Sequence, residues 1–88
     1  MITETPDARL KRLKMRSMRR GIKEMDLILG KFADEQIAAL SEPELLLYDD
    51  LLSENDHDLY LWVSGQQPTP ARYLDLISRI AAQGPAAV

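Results

Sequence analysis

Proline, glycine and capping residues recur at short intervals along this chain and divide it into segments that read as five helices. Thr5-Pro6 places an N-cap before a proline at the first helical position, where the missing N–H is not needed. Ser41 and Glu44 form a capping box, because each side chain can bond the other residue's backbone N–H. No segment shows the alternating pattern of a strand between turns. Helices this short are marginal alone, so the sequence predicts an all-α bundle of five short, mutually packed helices.

Two glycines mark helix ends in this interpretation. Gly21 follows the basic run of the first helix, and we expect it to enter the left-handed region just after the C-cap. Gly65 ends the fourth helix. The fifth opens at Thr69-Pro70, as the first opens at Thr5-Pro6, and Gly84-Pro85 stops it. The predicted helices lie at about residues 6–20, 22–38, 42–53, 55–64 and 70–83.

A chain of 88 residues has room for one domain with a thin core. We expect a single domain over residues 1–88, with a helical core at about 6–82 and a loose C-terminal tail at 83–88. Aromatic residues of the fourth and fifth helices are placed in the core, with a partner-binding platform as the alternative. Apolar spacing predicts these core residues: Leu10, Leu13, Met18, Ile22, Met25, Ile28, Leu29, Phe32, Gln36, Leu45, Tyr48, Leu51, Leu52, Leu59, Trp62, Val63, Tyr73, Leu76, Ile77 and Ile80.

The composition excludes several classes of protein. The chain has no cysteine, so disulfides, thiolate zinc sites and cysteine nucleophiles are ruled out. Its longest apolar runs, at 45–48 and 59–63, are far below the roughly 20 residues that a membrane span needs. The first residues lack the pattern of a secretory signal. We therefore expect a cytoplasmic protein without a membrane span.

Charge is distributed very unevenly along the chain. Residues 9–23 contain eight basic and no acidic residues, whereas residues 24–58 contain eleven acidic residues and one lysine. Such asymmetry bears on partners rather than on fold. The basic helix is a solvated face, a surface that steers an acidic protein partner, or a nucleic-acid surface. A pI near 5.0 and the lack of aromatics among the arginines speak against nucleic acid.

No constellation in the sequence points to catalysis. His57 is the only histidine, between Asp56 and Asp58. Consecutive residues on a helix point in different directions, so this trio predicts a helix start rather than a metal site. One histidine provides no convincing nucleophile–base pair, and no glycine-rich phosphate loop follows a strand. We expect no catalytic residues, no metal site and no enzymatic activity.

The best candidate site is Arg20-Gly21-x-x-Glu24, which places a cation, a bare backbone and a carboxylate within one helical turn. A glycine at this point lets another surface approach the main chain closely. The charged pair then either bonds across an interface or clamps the bend from within. A helix-ending role alone also accounts for Gly21.

Several segments together resemble a known family. They are MRRGIKEMDLIL at 18–29, Phe32, SEPELLLYDDLL at 41–52, and a box formed by Asp56, Asp58, Leu59 and Trp62. Over roughly residues 9–82 the chain resembles the succinate dehydrogenase assembly factors, the SdhE-like flavinators of bacteria and mitochondria. The resemblance implies a Y-shaped fold of five helices. It also implies a chaperone that binds the flavoprotein subunit of succinate dehydrogenase while FAD becomes covalently attached to that subunit.

The resemblance further implies that Arg20, Gly21 and Glu24 bind the partner, with Arg19 added as their neighbour. FAD belongs to the client, so we expect no tightly bound cofactor, and direct contact with FAD stays open. Some family members also act on the fumarate reductase flavoprotein. Related bacterial sequences carry an antitoxin label, which is the alternative function. We expect a monomeric bacterial protein that binds no nucleic acid. Its lysine- and arginine-rich first helix departs from relatives that carry an aromatic residue there.

Overall fold

A computed structural model describes residues 4–83, and the stop predicted at Gly84-Pro85 lies outside that range. The described residues form α-helices and two short 3-10 helices with no strand among them, so the predicted all-α bundle of five helices is confirmed. No helix between residues 4 and 83 combines the length and apolarity needed to cross a membrane. The α-helices are α1 Pro6–Arg16, α2 Lys23–Glu35, α3 Glu42–Leu51, α4 Asp56–Val63 and α5 Leu74–Ala82.

Local side chains cap three of these helices, at Thr5 and Ser41 as predicted and at Asn55 in addition. Thr5 Oγ1 accepts the Ala8 N–H at 3.1 Å at the start of α1. At α3, the Ser41 N–H donates to Glu44 Oε1 at 2.8 Å, and Ser41 Oγ accepts the Glu44 N–H at 3.4 Å. Asn55 Oδ1 accepts the His57 N–H at 2.8 Å before α4. Each cap satisfies a backbone donor that the first helical turn leaves unpaired.

The predicted opening of the fifth helix at Thr69-Pro70 is wrong in detail. The chain enters α5 through a 3-10 turn at Ala71–Tyr73, and no side chain caps this turn or α5. Pro70 itself occupies the cap position in an extended conformation, with φ −53° and ψ 140°. Thr69 therefore stands one residue too early for its hydroxyl to act as the cap.

The first helix also ends earlier than predicted. It ends at Arg16 with Ser17 as its C-cap, and the residue with positive φ is Arg19, at 55°, rather than Gly21. Ser17, the C-cap, is fully buried, and its hydroxyl bonds Leu13 O at 2.7 Å and the Tyr48 hydroxyl at 2.6 Å. Gly65 does adopt positive φ, 78°, as expected for the residue that ends α4.

The core runs through all five helices and contains most of the predicted residues. Met18 is an error: it is 41% exposed, because the early end of α1 takes it off the helical stripe. Six predicted residues are only half-buried: Leu10, Ile22, Ile28, Gln36, Trp62 and Val63. Prediction missed three buried apolar residues, Ala33, Ile37 and Leu40, and the buried Ser17.

The C-terminal end of the described chain packs on α2. Gln83, the first residue of the predicted tail, donates from its side-chain amide to Ile28 O at 2.9 Å. Its own carbonyl accepts a hydrogen bond from Lys31 Nζ at 3.3 Å. Both bonds hold the end of α5 against the middle of α2.

Candidate functional site

The segment between α1 and α2, residues 17–22, is called the α1–α2 turn here, and Arg20 is its internal anchor. Arg20 Nε donates to Asp56 Oδ1 at 2.7 Å, Nη1 to Arg16 O at 2.7 Å, and Nη2 to Leu52 O at 3.0 Å. Only 11% of the Arg20 side chain is exposed. The rigid guanidinium fork suits such divergent acceptors, so Arg20 ties the turn to the C-terminus of α3 and the start of α4.

Gly21 shares the same carboxylate. Its N–H donates to Asp56 Oδ2 at 2.7 Å, so the two Asp56 oxygens bind the Arg20 side chain and the Gly21 backbone. A Cβ at Gly21 would lie 3.1 Å from Asp56 Oδ2, which is closer than ordinary contact. Gly21 is exposed on its other side. A small residue therefore has an internal reason here, besides leaving the backbone open to a partner.

The structure separates the predicted charged pair. Arg20 turns inward to Asp56, whereas Glu24 lies exposed in the first turn of α2 and has no hydrogen-bond or ion-pair partner among residues 4–83. Of the two alternatives for this pair, the clamp within the bend does not form, because Arg20 binds the more buried carboxylate of Asp56. Glu24 is left free to contact a partner.

Sequence reasoning missed Asp56 as a member of this site. The acid was interpreted as a favourable charge at a helix start, and it does lie in the first turn of α4. Its partner is 35 positions away in the chain, and no local pattern encodes that pairing. The sequence contained one indication of the pairing: the Arg-Gly motif and the box that contains Asp56 are both among the segments that resemble the family.

Arg19 differs from Arg20 in backbone conformation, exposure and pairing. Its backbone is in the left-handed region, and its N–H donates to Asp26 Oδ1. Its side chain is exposed and pairs with no acid in residues 4–83. Together with Met15 and Met18 it lines a shallow depression beside the turn. The predicted site residues therefore divide into one anchor, Arg20, and an exposed set: Arg19, Gly21 and Glu24.

Tyr48 supports the turn from beneath. Its fully buried ring packs against Phe32, with 5.4 Å between ring centroids, and its hydroxyl bonds Ser17. Burial raises the pKa of Tyr48 to about 12, although the Ser17 bond and the charge of Arg20 oppose that rise. The first residue of the turn is thus fixed to the core while Arg19 and Gly21 stay at the surface.

The basic run of α1 has two faces. Its arginines face α3 and α4: Arg9 binds Glu42, Arg12 binds both oxygens of Asp49 at 2.9 Å, and Arg16 binds Asp49 and Ser53. With Arg20 these side chains form what we call the arginine ladder. The remaining cations have no ion-pair partner among residues 4–83, and we call them the outer basic face: Lys11, Lys14, Arg19 and Lys23.

The ladder pairs four of the eight basic residues between 9 and 23 with acids of the same molecule. The hydrogen bond from Arg12 lowers the pKa of Asp49 below its ordinary value, and that from Arg9 does so for Glu42. Much of the charge difference between residues 9–23 and residues 24–58 is therefore balanced inside the molecule, where the basic side chains pair with the acidic ones. This weakens the nucleic-acid interpretation, because paired arginines are not available to neutralise phosphates.

Comparison with known proteins agrees with the resemblance. The sequence model of the family described as "Flavinator of succinate dehydrogenase" matches residues 11–83. The chain belongs to this family. The range includes the whole α1–α2 turn, Asp56 and every rung of the arginine ladder except Arg9.

Three relatives in the flavinator family illustrate the similarity. The mitochondrial succinate dehydrogenase assembly factor 2 of Schizosaccharomyces pombe is 46% identical over 70 residues, which cover 80% of this chain and 50% of the relative. The protein of the same name in Danio rerio is 40% identical over 72 residues, 80% of this chain and 46% of the relative. The FAD assembly factor SdhE of Legionella pneumophila (strain Lens) is 40% identical over 62 residues, 70% of this chain and 78% of the relative. The chain thus spans about half the length of the mitochondrial relatives.

The acids around His57 lie at the start of α4. Asp56 binds the α1–α2 turn, and the His57 N–H is capped by Asn55. Among residues 4–83 no three acidic or histidine side chains converge as metal ligands would. The interpretation of this segment as a helix start is confirmed.

Proposed function

We propose that this protein is an assembly factor that binds the flavoprotein subunit of succinate dehydrogenase and promotes the covalent attachment of FAD to it. The observation that carries the proposal is the match of residues 11–83 to the flavinator family. Relatives named as succinate dehydrogenase and FAD assembly factors support it. The fumarate reductase flavoprotein is proposed as a second client of the same surface. A cytoplasmic location and a monomeric state stay predictions.

The proposed contact surface is the exposed side of the α1–α2 turn. Glu24 and Arg19 present opposite charges without internal partners among the described residues, and Gly21 leaves its backbone uncovered between them. Arg20 acts as a positioning residue, because its three hydrogen bonds fix the turn rather than reach outward. A surface held this rigidly loses little conformational entropy on binding, which favours affinity.

In this proposal the protein is a chaperone rather than an enzyme. The bond to FAD forms with groups of the client and of the flavin, and the assembly factor contributes only binding and orientation. FAD stays with the client throughout. Holding a reacting pair in a productive geometry is by itself sufficient to accelerate bond formation.

Flavin fluorescence in a denaturing gel tests the proposal in cells that lack this gene. Wild type is expected to restore fluorescence at the mass of the flavoprotein subunit. Glu24→Arg is expected to fail, because it reverses a charge that points to the client. Glu35→Arg is the matched control, since Glu35 is also exposed, at the other end of α2.

Two results would count against the proposal. Fluorescence that is the same with and without the gene would show that flavin attachment does not need this protein. Full restoration by Glu24→Arg would show instead that the exposed side of the turn is not the contact surface. We expect both variants to fold, because the loss of an acid from the first turn of a helix costs only about 0.3–1 kcal/mol. Circular dichroism checks this.

A further inference from the structure

We infer that Met15 and Met18 form the apolar centre of the client-binding surface, and that the outer basic face binds acidic side chains of the client around them. This inference rests on the proposed function and names a second region of the same interface. It extends the contact from the α1–α2 turn along the exposed side of α1.

The first observation is the exposure of both methionines. Met15 is 76% exposed and Met18 is 41% exposed, although both are large apolar side chains. Single exposed apolar residues are ordinary, but here two neighbours line one depression together with Arg19. Methionine is unbranched and polarizable, so it adapts to the shape of an inserted side chain. The pair suits an apolar projection from a partner.

The second observation is the charge around the methionines. Lys11 lies one helical turn before Met15 on α1, and Lys14 directly precedes Met15 in the chain. Arg19 contributes the cation on the rim of the depression itself. None of these cations is paired within residues 4–83, unlike the arginines of the ladder. An apolar centre with a cationic rim is complementary to an apolar side chain flanked by Asp or Glu.

The third observation is continuity with the α1–α2 turn. Arg19 lines the depression and also stands two residues before Gly21, so one side chain joins the two regions. The bond from its backbone N–H to Asp26 Oδ1 ties this residue to α2. The client therefore meets one surface that runs from Lys11 to Glu24 rather than an isolated motif.

The test measures the dissociation constant of the purified flavoprotein subunit for this protein. Met15→Gln with Met18→Gln removes the apolar centre while keeping side-chain length and helix propensity. We expect the dissociation constant to rise roughly tenfold or more, as for truncated anchor residues at interfaces. The matched control is Leu46→Gln with Leu74→Gln, because these leucines are 57% and 51% exposed outside the proposed surface. That control is expected to bind as wild type does.

A second arm replaces the flanking charges. Lys11→Gln with Lys14→Gln should make the association rate depend less on salt between 0.1 and 1 M, where the Debye length falls from about 10 to 3 Å. An unchanged salt dependence would overturn the assignment of these lysines to the interface.

The outcomes distinguish this inference from the proposed function. If wild type does not bind the flavoprotein subunit, the proposed function is wrong. If wild type binds and the methionine variant binds equally well, only the present inference is wrong. If the methionine variant loses self-association in analytical ultracentrifugation and keeps its affinity for the subunit, the patch joins two copies of this chain and the inference is overturned. Loss of affinity in the leucine control as well would contradict a localised patch.

Discussion

The eight cations of residues 9–23 form two sets of equal formal charge that do different things. The arginine ladder binds carboxylates and carbonyls of α3, of α4 and of the segment between them. In the outer basic face Lys11, Arg19 and Lys23 are exposed and Lys14 is half-buried. Arginine offers a rigid fork that fits paired oxygens, whereas lysine is a strongly hydrated point charge on a flexible stem. The four arginines of the ladder therefore serve the fold, whereas three lysines and Arg19 have no ion-pair partner among residues 4–83.

The largest expected effect comes from removing the last rung of the ladder. Arg20→Ala leaves Asp56 partly buried and unpaired, and we expect the free energy of unfolding to fall by about 2–3 kcal/mol. Arg20→Lys should recover only part of this loss, because an ammonium cannot reach all three acceptors. Lys14→Ala is the control from the outer basic face and should change stability by no more than about 0.5 kcal/mol. Urea denaturation measures all three, and equal losses for Arg20→Ala and Lys14→Ala would contradict the division into two faces.

The next largest expected effect is a difference in stability between alanine substitutions at two glycines. Gly30→Ala lies inside α2 with nothing within 4 Å of the added Cβ, so we expect it to stabilise the protein by about 0.5–1 kcal/mol. Gly21→Ala places its Cβ 3.1 Å from Asp56 Oδ2 and disturbs the carboxylate that binds Arg20. We expect Gly21→Ala to be about 1 kcal/mol less stable than Gly30→Ala. Thermal unfolding compares them, and equal stability would show that Gly21 has no internal role.

The smallest expected effect is the response to acid. The pKa of Asp49 is lowered, first by the Arg12 hydrogen bond, so its contribution to stability is present above the unfolded pKa of about 4 and is lost as pH falls through the folded value. Asp49→Asn should therefore flatten the dependence of unfolding free energy on pH below about 4. Asp34→Asn is the control, because Asp34 is exposed and outside the ladder. Denaturant titrations at several pH values measure the slope, and identical slopes for both variants would mean that the ladder does not carry the acid response.

Features that neighbouring residues determine were predictable from the sequence. The caps at Thr5 and Ser41 each involve residues three positions apart, and both formed as expected. The core followed from helical spacing wherever the helix ends were right. These are short-range properties, so the chain itself contains the information needed to infer them.

Features that depend on distant partners were not predictable in the same way. Ser17, the C-cap of α1, bonds Tyr48, which is 31 positions away, and the later helix end expected from the sequence wrongly placed Met18 in the core. The charges of α1 were visible, but which of them face α3 depends on how the helices pack. The resemblance indicated the Arg20-Gly21-x-x-Glu24 motif, yet it gave no way to see that Arg20 points inward and Glu24 outward.

The double contact of Asp56 has a consequence for how the protein is made. The α1–α2 turn is shaped by a carboxylate that leaves the ribosome 35 residues after Gly21. Closing that long loop comes late relative to helix formation, so the turn takes its final form only when α4 has docked. A nascent chain that ends before α4 carries the Arg-Gly motif but lacks the group that holds it in place.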